Sequence, residues 1–208
     1  MIRTLFVDAG GVLYNNINEE TDFLARVAGR HGADPGELLT RVLKAAPAYE
    51  DGGTHVHEVF RDLLEAEAPL DTGWLDRAYL ESVRAYDDNF RALREARRDH
   101  PHLTVVLTNN EAEHWDRLKD AAHGHFGLFD VLCSSWRLGR VKPAREFFTA
   151  ALHHVRAVPA ETLVVDDRTA VLEVAAGLGM RTLHVGTPDV LAGRLAPAVR
   201  GDAVPTAL

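Results

Sequence analysis

Three carboxylates, a hydroxyl, an amide and an ammonium stand at or near the ends of short apolar runs in this 208-residue chain. Asp8 closes TLFVD and is followed, past Ala9, by Gly10 and Gly11; Thr108 and Asn109 close LTVVLTN; Asp166 and Asp167 close TLVVDD; Lys142 lies in GRVKP, just ahead of a helical pattern. A carboxylate ending a buried strand is costly unless something pairs with it. The two glycines after Asp8 let the backbone approach a ligand or take a positive φ. Grouped aspartates suit a hard cation such as Mg2+, which takes one or two carboxylates together with water and substrate phosphate, and a carboxylate left over could act as a nucleophile. Asn110 followed by Glu113 reads as a helix start, which would aim backbone N–H groups at the same place and make phosphate the natural guest. Singly, each residue also has an ordinary role: Thr108 and Asn109 as helix caps, Lys142 as a surface cation, Asp166 as an N-cap. Their coincidence at successive strand ends is what argues for a site.

These residues meet only if their runs are neighbouring strands of one parallel sheet, where ligands bind beyond the carboxyl ends. The sequence predicts strands at 4–8, 103–108, 162–167 and 182–186, with a weaker fifth in FDVLCSS. Helical patterns alternate with them, the clearest carrying Phe147, Phe148, Ala151, Leu152 and Val155 on one face, with Pro143 expected in its first turn. That alternation implies an α/β fold, a doubly wound and mostly parallel sheet. Between the first two strands lies a stretch too long for a simple crossover and free of strand signals. It holds helical patterns at Phe23–Ala28, after the Asp34–Pro35–Glu37 start signal, at Val56–Leu64 and at Trp74–Val83. Residues 16–87 therefore read as a helical insertion, hinged near YNN and YDDN, in a core made of 1–15 and 88–208; the helix around Phe90 and Leu93 returns the chain to the sheet.

Composition narrows the partners. Asp and Glu number 31 against 23 Lys and Arg, a formal charge of −8, which disfavours nucleic acid and anionic membranes and obliges an anionic substrate to find local positive charge. Cys133 is the single cysteine, no run is long and apolar enough to cross a bilayer, and the start has no secretory pattern. A cytoplasmic protein is expected, with a poorly ordered C-terminal GDAVPTAL. The 11 histidines, including His55 with His57, HGH at 123–125 and His153 with His154, lack metal-ligand spacing in sequence and are expected to be solvated or capping. Trp74, Trp115 and Trp136 are expected to pack.

The ordered set FVDAGGVLY, VLTNN, VKP and VVDDRTAVLEVAAGLGM resembles the haloacid dehalogenase-like hydrolase superfamily, and the helical insertion is similar in position to its C1-type cap. The resemblance implies that Asp8 is a nucleophile forming an aspartyl-phosphate. It also implies that Thr108, Asn109, Lys142 and the backbone at Gly10 bind the phosphoryl group. Mg2+ would be held by Asp167 directly, with Asp8, the Gly10 carbonyl and, through water, Asp166. The implied activity is a Mg2+-dependent phosphatase acting on a small phosphorylated metabolite such as a sugar phosphate, with the oligomeric state left open. Two positions depart from the family pattern: Gly10 stands where phosphatases usually carry a second, acid–base Asp, and Val171 where relatives often have Asn or Asp. The alternatives are a 2-haloacid dehalogenase, whose members usually carry Tyr where this chain has Gly10, and a catalytically weak phosphate-binding protein.

Overall fold

The structure is a computed structural model and describes residues 1–65 and 69–201; past Gly201, the expectation for the C-terminal tail falls outside the described residues. Five strands form one sheet, β1 (Thr4–Val7), β2 (Thr104–Leu107), β3 (Val131–Leu132), β4 (Thr162–Asp166) and β5 (Arg181–His184), in the order β3-β2-β1-β4-β5 with every pairing parallel. Between β1 and β2 run α1 (Ile17–Glu20), α2 (Phe23–His31), α3 (Pro35–Glu50), α4 (Val56–Leu63), α5 (Thr72–Ser82) and α6 (Asp87–Asp99). After β2 come α7 (Glu113–His123), α8 (Ser135–Leu138), α9 (Arg145–Val155), α10 (Thr169–Gly177) and α11 (Asp189–Arg200).

The period of two along each strand divides the core. Leu5, Val7, Val105, Leu107, Leu163 and Val165 face one side, where α6 and α11 bury Leu93, Leu191 and Leu195 against them. Phe6, Val106 and Val164 face the other, under Phe147, Phe148 and Ala151 of α9 and Leu172 and Ala175 of α10. Central strands buried on both faces read as continuous apolar runs for this reason.

A third cluster holds the helical insertion together: Phe23, Val27, Val42, Val56, Phe60, Leu75 and Tyr79, joined by Trp115 from α7. Trp115 is 1% exposed and stacks on Tyr79 at 4.2 Å between ring centroids, so it packs, as expected. The Asp34 start signal is realised, its side chain accepting from Glu37 N–H (2.8 Å). Where the chain leaves and re-enters the sheet-bearing part, the two crossings bond to each other. Tyr86 N–H donates to Leu13 O (2.9 Å), and Asn15 accepts from Arg84 N–H (2.7 Å) while donating to Ser82 O (3.0 Å).

Two local expectations are corrected. Pro143 precedes its helix, which begins at Arg145 after the flanking Ala144. Asn110 does not start a helix either: α7 begins at Glu113, flanked by Ala112. Among the described residues no helix is long and apolar enough to cross a membrane.

Candidate active site

Because β1, β2 and β4 are in register, the residues that follow or end them reach one edge together. Val7 lies opposite Leu107 and Val165; Asp8 N–H then donates to Val165 O (3.0 Å), and Thr108 N–H to Val7 O (2.9 Å). Asp8, Thr108 and Asp166 are all buried there, with half-buried Asp167 next. One carboxylate oxygen from each of Asp8, Asp166 and Asp167 lies within 4.8 Å of the others.

Lys142 enters from the loop before α9. Its Nζ lies 2.6 Å from Asp166 Oδ2 and 3.0 Å from Asp8 Oδ2. Asn110 fixes the backbone of this residue, donating to Lys142 O (2.9 Å) and accepting from Lys142 N–H (2.8 Å), and this is the work it does in place of the expected helix start. Asn109 is buried beside it but turns its amide to Asp116 Oδ1 (3.0 Å). Asp116 also takes Ser134, Trp136 and His125, so His125, expected to be solvated or capping, is instead wholly buried. Val171 packs under the sheet with Leu172 and Ala175, which leaves an apolar contact where the family resemblance leads one to expect an amide or acid.

The acidic pair divides its duties. Asp166 has both oxygens engaged, Oδ2 by Lys142 and Oδ1 by Arg168 N–H (2.9 Å). Asp167 accepts from Asn16 at Oδ2 (2.8 Å), but its Oδ1 is buried without a hydrogen-bond partner. An orphaned buried carboxylate oxygen carries its full desolvation penalty. Three carboxylates against one ammonium, with one oxygen unfilled, make a donor set that fits a hard divalent cation such as Mg2+. Gly11 permits the close approach: at φ +67°, a Cβ there would overlap the Asp167 carboxylate. At Gly10 a Cβ would come within 2.9 Å of Asn16 Oδ1, so Asn16 borders the space where a side chain at position 10 would begin.

Electrostatics express the same crowding. Burial pushes the Asp8 carboxyl up; Lys142 opposes this, and repulsion from Asp166 and Asp167 adds to it. Burial also raises Asp167, against the hydrogen bond from Asn16 and with repulsion from Asp166. Burial would lower Lys142, yet Asp166 and Asp8 outweigh it and hold the ammonium above its ordinary range.

A cavity of about 330 Å3 opens beside Asp8 and Lys142, and α3 supplies its other wall through Leu43, Ala46 and Glu50. A smaller one of about 90 Å3 shares Gly10, Asn16, Glu50 and Arg168 with it and extends to Tyr79, Glu111 and Lys119. There Glu111 Oε2 accepts from both Tyr79 OH (2.8 Å) and Lys119 Nζ (2.6 Å). Burial pushes Glu50 up to about 7, with Glu111 adding and Arg168 and Lys142 opposing. Glu50, Asn16, Glu111 and Lys119 were not legible as site residues, because each sits in an ordinary helical or turn context. Arg168 carried a signal, its place directly after the acidic pair.

The sequence model of the haloacid dehalogenase-like hydrolase family matches residues 2–179. Among solved structures, a HAD family enzyme from Bacteroides thetaiotaomicron, in complex with magnesium and inorganic phosphate, superposes with a TM-score of 0.67 at 21% identity, over 88% of this chain and 94% of its own. A predicted HAD-like family hydrolase from Porphyromonas gingivalis matches with 0.68 at 23% identity, over 96% and 97%. The L-2-haloacid dehalogenase from Xanthobacter autotrophicus matches with 0.64 at 19% identity, over 99% and 85%. At these identities the likeness is one of fold. No curated protein matches the chain.

Proposed function

We propose that this chain, which belongs to the haloacid dehalogenase-like hydrolase family, is a Mg2+-dependent phosphatase acting on a small phosphorylated metabolite, with sugar phosphates the first class to test. The observation that carries this reading is the buried Asp8 carboxylate, bonded to Lys142 and facing a cavity, beside the partnerless Asp167 oxygen. In this reading residues 16–87 are the cap and 1–15 with 88–208 the core.

Asp167 and Asp8, with the Gly10 carbonyl, would hold Mg2+, and Asp166 would support it from behind its bond to Lys142. When bound, the ion supplies charge neutralisation at the phosphoryl oxygens. Lys142 adds a second positive charge there, and Thr108 stands at the adjoining strand end to receive a phosphoryl oxygen. An Asp8 oxygen attacks phosphorus, the bond from phosphorus to the leaving oxygen breaks, and that oxygen takes a proton. Water then attacks the phosphorus of the aspartyl-phosphate, giving up a proton as Asp8 is released.

Gly10 has no group to donate the first proton or accept the second. Glu50 on α3 is the residue we assign to both, since it lines the Asp8 cavity and its pKa of about 7 lets it act as acid and then base near neutral pH. The test is phosphate release from a panel of phosphorylated metabolites, with and without Mg2+, against Asp8→Asn as background. Halide release from a 2-haloacid would replace this reading with a dehalogenase, and Mg2+-dependent phosphate binding without any turnover would replace it with a binding protein.

A further inference from the structure

Outside the Asp8 site, the fold brings together residues far apart in sequence. His57 lies in α4, Asp76 in α5 and His114 in the first turn of α7. His57 Nε2 is 2.8 Å from Asp76 Oδ1, and His114 Nε2 is 2.8 Å from Asp76 Oδ2. The three ligand atoms lie within 4.8 Å of one another. The His57 and His114 rings are 4.5 Å apart between centroids, and the His55 ring lies beside both, at 4.8 Å and 5.1 Å. His57 is therefore a partnered, half-buried residue, in contrast to the solvated or capping role expected of it, while exposed His55 does cap α4.

We propose that His57, Asp76 and His114 form a site for a divalent first-row transition ion, Zn2+ foremost, which ties the helical insertion to α7. Two imidazoles and a carboxylate are a donor set that such ions favour and that leaves a fourth position for water. The carboxylate is already oriented. Trp115 Nε1–H donates to Asp76 Oδ1 (3.1 Å), and the indole is wedged against Phe60 and Tyr79, an arrangement of the kind that holds metal-binding carboxylates in place. Ligand distances near ~2.1 Å require the three donor atoms to close up, and His114, with 31% of its side chain exposed, has the freedom to do so. Without the ion, the Nε2 protons point at Asp76. On binding, each Nε2 lone pair is needed, so a neutral ring carries its proton on Nδ1 and a charged ring releases one.

The site bears on the neighbouring cavity. Tyr79, three residues beyond Asp76, and Glu111, three before His114, line its smaller arm and bond to each other. An ion that fixes α5 against α7 also fixes these walls.

The test is a Zn2+ titration of the tag-free full chain in excess Mg2+, followed by calorimetry and thermal unfolding, with Co2+ absorption as the coordination readout. One ion should bind with micromolar or tighter affinity, give a tetrahedral Co2+ spectrum and raise Tm by about 5–10 °C at a hundredfold excess over Kd. Losing a group that merely supports a ligand costs up to about 100-fold, so His114→Gln and His57→Gln, which remove ligands, should each weaken binding by at least about 100-fold, and Asp167→Asn should leave it unchanged. His114→Gln lies at a part-exposed position, and its metal-free Tm reports its folding directly. Asp76→Asn, which preserves shape, is the second variant. Absence of a micromolar Zn2+ site, binding indifferent to His57 and His114, or loss of binding in Asp167→Asn would each overturn the proposal.

Discussion

Replacing Glu50 by Gln removes the group we assign as proton donor and keeps the shape of the cavity wall. A positioned general acid contributes about 10²–10⁴ in rate, and how much of that is lost depends on how badly the leaving oxygen needs the proton. An aryl oxygen that leaves as a stable anion needs little help, so Glu50→Gln should cost less than about tenfold in kcat/KM on nitrophenyl phosphate and about 10²–10³ on alkyl and sugar 6-phosphates, with sugar 1-phosphates between. The pH dependence follows from the pKa of about 7. Above that value the acid form falls about tenfold per pH unit, so wild-type kcat/KM on poor leaving groups should decline there. The ratio of wild type to Glu50→Gln isolates this limb, because ionisation of the substrate is common to both proteins. The assay is kcat/KM over a graded leaving-group series at several pH values, with rapid-quench measurement to establish that phosphoryl transfer limits the rate. Equal losses on good and poor leaving groups, or an unchanged pH limb in the variant, would refute the assignment and return the question of the acid to other residues of the helical insertion.

The same group should affect stability. Its folded pKa of about 7 lies above the ordinary 4.5, so between those values the unfolded chain gives up a proton that the folded chain keeps, and stability falls as pH rises through that window. Glu50→Gln should therefore exceed wild type in chemical denaturation above pH ~8, by up to about 3 kcal/mol, with the difference vanishing near pH ~4. Asp167→Ala should weaken Mg2+ binding more than Asp166→Ala in calorimetry, because Asp167 keeps an unpartnered oxygen and Asp166 has none; the reverse order would mean that the roles of the pair are exchanged. Gly11→Ala should lose Mg2+ binding by at least about tenfold while remaining folded by circular dichroism, since its Cβ would displace the Asp167 carboxylate.

The sheet and its chemical rim were legible because they follow from short-range patterns. The three central runs of β-branched and apolar residues made buried strands, the outer two made short or largely exposed ones, and a parallel register then carried Asp8, Thr108 and Asp166 to one edge. The helix after Asp34 was legible from its cap and proline. What escaped was set by tertiary contacts. Asn110 has the composition of a helix cap, but its reciprocal bonds to Lys142 take precedence. His125 looks solvent-facing in HGH, yet Asp116 holds it in the interior. His57, Asp76 and His114 share no spacing that a linear pattern could register, and they meet only because α4 and α5 fold against α7. Glu50 ends an amphipathic helix and gains chemical meaning only from the cavity it borders.

The covalent role we propose for Asp8 is the centre of this mechanism, and it can be tested directly. Wild-type protein mixed with Mg2+ and a substrate found in the metabolite panel, acid-quenched within one turnover and digested, should yield a phosphorylated peptide containing Asp8. That adduct should be labile to hydroxylamine and absent without Mg2+ or in Asp8→Asn. Phosphate release at the wild-type rate from Asp8→Asn, or a phosphoryl group found on a residue other than Asp8, would contradict it.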